Sequence, residues 1–184
     1  PEYDGAGVIR EPSGSTITGI VPTNTYLCSD GKFIIIGANG DSIFKRLCEK
    51  MGRPDMAVDA RFADNAGRVR HEQEKDDAIT AWTGSMDSAT ALSLLDEARV
   101  PSGPIYSAAD MMINEHFIAR GLFEEVSVNG KHLKIPAMVP KLSKTPGRTD
   151  WPGPEVGAFN QVVYADLLGM SAEEIAPLEE QGVL

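Results

Sequence analysis

Gly19 to Arg70, GIVPTNTYLCSDGKFIIIGANGDSIFKRLCEKMGRPDMAVDARFADNAGRVR, is the stretch that decides the fold. Val21 to Leu27 reads as a strand, Ser29-Asp30-Gly31 as a polar turn and Lys32 to Ile36 as a returning strand. Asp-Gly supplies the positive φ angles that a tight hairpin turn needs. Phe33-Ile34-Ile35-Ile36 is apolar at every position, which predicts a strand covered on both faces. Gly37-Ala38-Asn39-Gly40 is a flexible joint, after which Asp41 or Ser42 can cap a helix by accepting its free amide hydrogens. That helix places Ile43, Phe44, Leu47, Cys48 and Met51 on one face, with Lys45, Arg46, Glu49 and Lys50 between them. Gly52 ends it, and Pro54 prevents its continuation.

Working outward, Val69 to Trp82 reads as a second, more polar helix, and Asp87 or Ser88 starts a third with Ala91, Leu92, Leu95 and Ala98 on one face. Val100 to Ile105 is a rigid extended link, and Ser107 or Asp110 opens a short helix to Arg120. After Gly121 the pattern changes. Phe123 to Val128 and Lys131 to Ile135 flank Asn129-Gly130, the signature of a second hairpin. Pro136 to Pro154, with its five prolines, is a long crossing segment. Gln161 to Leu168 is helical, and Ser171 with Glu174 forms a capping box for a last short helix. The organisation is α+β: a Gly-, Ser-, Thr- and Pro-rich lead-in and loop at 1–18, a compact unit at 19–122, and a tail at 123–184 with a poor core of its own.

The composition excludes several classes of function. With 42% hydrophobic and 24% charged residues, the 184-residue chain is an ordinary globular sequence. A net charge of −10 argues against nucleic-acid and anionic-membrane partners, which need clusters of Lys and Arg. The longest apolar run, FIIIGA, is too short to span a membrane. Cys28 and Cys48 read as two buried reduced thiols, and no Cys or His spacing suggests a metal. His71, His116 and His132 lack helical pairing and read as surface or packing residues. Arg61 and Arg68 could bind a phosphate or carboxylate; a structural role tying Asp59 and nearby backbone together is the stronger reading. Glu72 to Asp77 reads as a solvated helix face, and Trp82 and Trp151 as packing anchors.

Four segments carry a family resemblance. The first is Gly19-Ile20-Val21-Pro22 leading to Asp30-Gly31, the apolar strand and Ala38-Asn39. The second is Asp59-Ala60-Arg61-Phe62-Ala63-Asp64-Asn65-Ala66-Gly67-Arg68. The third is Val100-Pro101-Ser102-Gly103-Pro104-Ile105 followed by Glu115 to Gly121. The fourth is Gly153 to Gly157, then Leu168 to Ile175 and Gly182-Val183-Leu184. In this order they resemble the C-terminal half of a family III CoA-transferase, including the small domain. That superfamily also holds formyl-CoA transferases, carnitine CoA-transferases and acyl-CoA racemases. The Gly-Ile-Val-Pro start most resembles members acting on small dicarboxylates such as glutarate, succinate or malate. Gly157-Ala158-Phe159 departs from the Gly-Glu-His or Gly-Gln-His often found there.

The resemblance implies a large Rossmann-like domain built from both chain ends, with a small α+β domain between them. The small domain would be 19–122, and the tail would pack on the large domain. Two protomers would interlock as rings, giving a cytoplasmic homodimer. It also implies CoA transfer between an acyl-CoA and a carboxylic acid through an aspartyl-CoA thioester, with no permanently bound cofactor and no metal. The nucleophilic aspartate would lie upstream. The chain starts at Pro1, none of its aspartates matches that position, and this half alone would be inactive. The small domain would contribute a glycine-rich loop over the acyl group, whose N–H groups could stabilise an oxyanion. The candidate loop is Ser13 to Gly19, with Gly14 and Gly19 as substrate-binding positions; Ala38, Asn39 and Gly40 form a second lining. Plain connecting loops are the alternative for both. An acyl-CoA racemase of the same superfamily and a non-catalytic binding or oligomerisation module are the competing readings.

Overall fold

Thr23–Leu27 (β1) and Phe33–Gly37 (β2) pair antiparallel in the computed structural model, which describes residues 1–184. Thr23 faces Gly37 at the open end, and Leu27 faces Phe33 at the turn. The Gly31 N–H donates to the Cys28 carbonyl, and the Cys28 N–H donates to the Lys32 carbonyl. Only Gly31 in this turn has a positive φ, of 77°. The turn is therefore a three-residue loop, where the sequence reading had an Asp-Gly pair supplying the positive angles. Ser102–Pro104 (β3) pairs antiparallel with the far side of β2, Ile36 facing Ser102. Its prolines made it read as a link. They are tolerated because β3 is an edge strand, where a missing N–H costs no ladder bond.

Three helices cover one face of this sheet: Asp41–Lys50 (α2), Glu72–Thr83 (α5) and Ser88–Glu97 (α6). Their apolar faces bury Leu47, Ile79, Ala91 and Leu95 against Tyr26, Cys28, Ile34, Ile36, Ala38 and Val100. A second cluster, Phe44, Cys48, Met56 and Phe62, joins α2 to the short helix Pro54–Val58 (α3) and the 3₁₀ turn Ala60–Phe62. The opposite sheet face is open in this chain, since Phe33 is 46% and Ile35 40% exposed. The apolar run therefore does not mark a strand covered on both faces here.

The helix expected over Val69 to Trp82 is two helices. Asn65–Arg70 (α4) and α5 are separated at His71, whose φ of −119° is not helical. The lead-in contains a one-turn helix, Glu2–Ala6 (α1), rather than loop alone. Asp30 ties the hairpin turn to the sheet-covering layer by accepting from both the N–H and the hydroxyl of Ser88 at the start of α6.

The chain divides into two compact units, Pro1–Ser107 and Ala108–Leu184. The division falls earlier than the 122/123 boundary read from the sequence. The helices Ala108–Ile113 (α7) and Glu115–Ala119 (α8) share a small concave surface with the hairpin that follows, lined by Met112, Ile118, Phe123 and Lys134. The single helix expected up to Arg120 is interrupted at Asn114, whose side chain caps α8 by accepting from the Phe117 N–H. Phe123–Val128 (β4) and Lys131–Pro136 (β5) form the second hairpin, with Asn129 at φ 50° and Gly130 at φ 74°. These are the left-handed angles of a two-residue hairpin loop. Gln161–Leu167 is wound with π-helical turns, and Ala172–Glu180 (α9) carries the expected Ser171/Glu174 capping box. Within this second unit only Ile175 is buried, while Leu167 and Val139 are largely exposed. No helix of the chain is long and apolar enough to cross a membrane.

Candidate functional site

Both candidate loops lie at the open end of the β1–β2 hairpin. β1 begins just after Gly19–Pro22, and β2 ends just before Ala38–Gly40. The Ala38 N–H donates to the Pro22 carbonyl at 2.8 Å and stitches the two together. The Asp-x-Arg-Phe segment then clamps them from the side. Asp59 caps the 3₁₀ turn, and Asp64 caps α4 by accepting from the Gly67 N–H. A Cβ on Gly67 would sit 2.4 Å from the Arg61 carbonyl oxygen, so this close approach requires glycine.

The caps aim two side chains of α4 at the loops. Asn65 donates from Nδ2 to the Gly19 carbonyl at 2.8 Å and accepts the Val21 N–H at 3.2 Å. Arg68 is completely buried. It donates to the carbonyls of Val21 (3.2 Å), Phe62 (3.0 Å) and Asn39 (2.7 Å), and to Asp41 at 2.8 Å. Its guanidinium also lies over the Phe44 ring. A planar fork of five donors suits this convergence of backbone acceptors. Arg68 thus ties the segment after the first loop to the second loop, and not Asp59 to its neighbouring backbone as the sequence suggests. Arg61 instead pairs with Asp59 and Glu74 at the surface and holds the Asp59 carboxyl below its usual range.

The five sequence-predicted site residues differ in what they present. Gly14 (φ 67°) and Gly19 (φ 81°) are exposed, left-handed and open where a Cβ would stand. Asn39 is exposed while its carbonyl is held by Arg68. Gly40 is half-buried and is the N-cap of α2, so neither Asp41 nor Ser42 caps that helix. Asp41 turns to Arg68 instead. Ala38 is fully buried in the core, so its contribution at the site is confined to its main chain.

A polar network beside the first loop was not anticipated. The Ser15 hydroxyl donates to Asn24 Oδ1 (2.6 Å), and Asn24 Nδ2 donates to Asp76 Oδ2 (3.3 Å). The Tyr26 hydroxyl and the Lys75 ammonium both donate to Asp76 Oδ1 at 2.6 Å. Lys75 is fully buried, so Glu72 to Asp77 is not simply a solvated face. A signal existed in Asn24 and Tyr26, two polar groups two apart on a strand, but their partner lies 52 and 50 residues on. Burial and Asp76 push the Tyr26 hydroxyl well above its ordinary value.

Burial pushes the Cys48 thiol up to about 12 and raises that of Cys28 as well. His71 packs edge-on against Phe62, and His132 stands in β5 opposite Ser127. No group of three or more His, Cys, Asp or Glu is placed to hold a metal ion. Trp82 packs against the sheet core as expected. Trp151 is 64% exposed and stacks edge-on with Phe159.

Comparison with known proteins adds four findings. The model of CoA-transferase family III matches residues 1–160. Succinyl-CoA–D-citramalate CoA-transferase of Chloroflexus aurantiacus is 40% identical over the whole of this chain and 46% of that enzyme. The alpha subunit of succinyl-CoA–L-malate CoA-transferase from Chloroflexus aurantiacus is 35% identical over the whole chain and 43% of that subunit. Among solved structures, a CaiB/BaiF family protein from Brucella suis superposes with a TM-score of 0.70 at 25% identity. The match covers 90% of this chain and 42% of that one. The chain therefore spans a little under half the length of the curated relatives it matches.

Proposed function

We propose, from the premise that the chain belongs to CoA-transferase family III, that it supplies the acyl-covering part of an enzyme that moves CoA from a short acyl-CoA to a small carboxylic acid. The donor is read as succinyl-CoA and the acceptor as a small dicarboxylate. The observation that carries this reading is the 40% identity, sustained along the whole chain, with an enzyme named for succinyl-CoA and D-citramalate.

A carboxylate on a residue outside this chain attacks the thioester and forms a mixed anhydride. The released CoA thiolate then attacks the enzyme-side carbonyl, giving an aspartyl-CoA thioester and freeing the first acid. The incoming acid repeats the sequence in reverse. Each step passes through an oxyanion, which correctly aimed N–H donors stabilise. The residues proposed for that region are Gly14, Gly19, Ala38, Asn39 and Gly40. Their placement at one end of the hairpin, pinned by Asn65 and Arg68, supports a shared surface. α2 starts there without a side-chain cap; Ile43 and Phe44 donate to the Gly40 carbonyl, so the Asp41 and Ser42 amides are the first-turn donors with no acceptor inside the helix. In the same reading 19–122 is the small domain, 123–184 returns to a large domain, and the whole protein is a cytoplasmic homodimer.

The test uses the intact protein that carries this chain. Incubation with succinyl-CoA alone, followed by intact-mass measurement, is expected to show a covalent CoA adduct. Adding malate or citramalate should discharge it as the new acyl-CoA. Absence of an adduct, together with proton exchange next to the thioester carbonyl in deuterated water, would replace transfer by racemisation.

A further inference from the structure

We propose that the Lys75–Asp76–Tyr26 cluster acts through Asn24 and Ser15 as a strut that holds the Ser13–Gly19 loop in its working position, making Ser15 and Asn24 positioning residues of the reaction. This rests on the reading that the loop lines the acyl site.

The polarity of the strut follows from what each group can do. A carboxylate only accepts hydrogen bonds, and Asp76 receives the Lys75 ammonium, the Tyr26 hydroxyl and the Asn24 amide. Asn24 must therefore turn its NH₂ toward Asp76 and its Oδ1 away from it. Oδ1 then accepts the Thr25 N–H at 2.8 Å and the Ser15 hydroxyl at 2.6 Å. The charge on α5 thus decides that an acceptor, rather than a donor, is presented to the loop.

The position of the strut matters because the rest of the loop is tied only locally. Ser13 and Thr16 exchange hydrogen bonds with each other, and Ile20 donates to Ile17. Gly19 is fixed by Asn65 at the far end. Thr16, Ile17 and Thr18 therefore hang between two posts, Ser15 and Gly19. A buried ion pair such as Lys75–Asp76 is poor value for stability alone, and an apolar pair of similar volume often does as well. Orientation of an attached group is what an apolar pair could not supply.

The experiment compares Ser15→Ala, Ser15→Thr and Asn24→Ala in the intact protein, reading hydrogen exchange over residues 14–19 and steady-state kinetics with succinyl-CoA. Ser15 is exposed, so its loss does not endanger folding. Loss of one hydrogen bond is expected to raise exchange across Thr16–Gly19 about fivefold. It should lower kcat by a similar factor while KM stays within about twofold. Ser15→Thr, which keeps the hydroxyl, should restore both. Unchanged exchange in Ser15→Ala and Asn24→Ala overturns the strut. Raised exchange with unaltered kcat overturns the loop's place in the reaction instead. If the unsubstituted protein transfers no CoA, the transferase reading fails, and the exchange arm still decides the strut.

Discussion

Replacing Arg68 by Met is the most searching perturbation of the site. The side chain is completely buried and serves the carbonyls of Val21, Phe62 and Asn39. Methionine leaves these acceptors without a donor, at about 1–3 kcal/mol for each that stays dry. Contact with the Phe44 ring is also weakened, at about 1 kcal/mol. The bond to Asp41 adds little, because that carboxylate is 60% exposed. Against these losses stands the recovered cost of burying a guanidinium, several kcal/mol. The net loss is about 3–5 kcal/mol, the middle of what these opposed contributions leave. That is a large share of a typical domain stability of roughly 5–15 kcal/mol. With a urea slope of about 2 kcal/mol per molar, the midpoint should fall by about 1.5–2.5 M. Hydrogen-exchange mass spectrometry across a urea series, read over Gly19–Asp41, measures it. Arg61→Met is the control from the same motif, and its surface pairs predict no resolvable shift. Equal midpoints for the two variants would refute the assignment of Arg68 as the tie between the loops.

Three other outcomes follow from particular contacts. Gly67→Ala forces its new methyl against the Arg61 carbonyl and should cost about 1–3 kcal/mol. Gly14→Ala meets only its φ of 67° in open space and should cost about 1 kcal/mol; a reversed ranking in urea titrations would contradict the close packing at α4. Cys28 and Cys48, buried and raised in pKa, should not react with a thiol-specific disulfide reagent at pH 8 until urea is added. Rapid native modification of either would mean that the core opens. The Ser88 hydroxyl and N–H hold the Asp30 carboxyl below its ordinary value, so its folded pKa lies under the unfolded one of about 3.9. The stabilisation is therefore present above that value and disappears as pH falls through the folded pKa. Asp30→Asn should flatten this part of the acid limb in thermal melts between pH 2 and 6; parallel curves would show that the tie contributes nothing.

The residues show why some features were legible and others were not. The hairpin at β1–β2, the helix from Asp41 and the Asn129-Gly130 turn were readable because each signal is local, a period or a pair of left-handed residues. β3 was not, because a three-residue strand that follows one proline and ends on another carries no periodicity, and only the neighbouring edge of β2 makes it a strand. The break at His71 and the buried Lys75 were missed for a related reason. α5 is polar along its sequence, with a charged residue turned inward to meet an aspartate that β1 also uses.

By itself the sequence determined the α+β class, the order of the first elements, the family and the two loops worth examining, since these rest on neighbours in the chain and on matched motifs. Tertiary structure alone decided that those loops share one end of a sheet, that Arg68 rather than Arg61 joins them, and that Asp76 reaches the first loop through Asn24. Each of these depends on groups tens of residues apart being removed from water together. A buried charge must find all its partners in three dimensions, and no local pattern records where they stand.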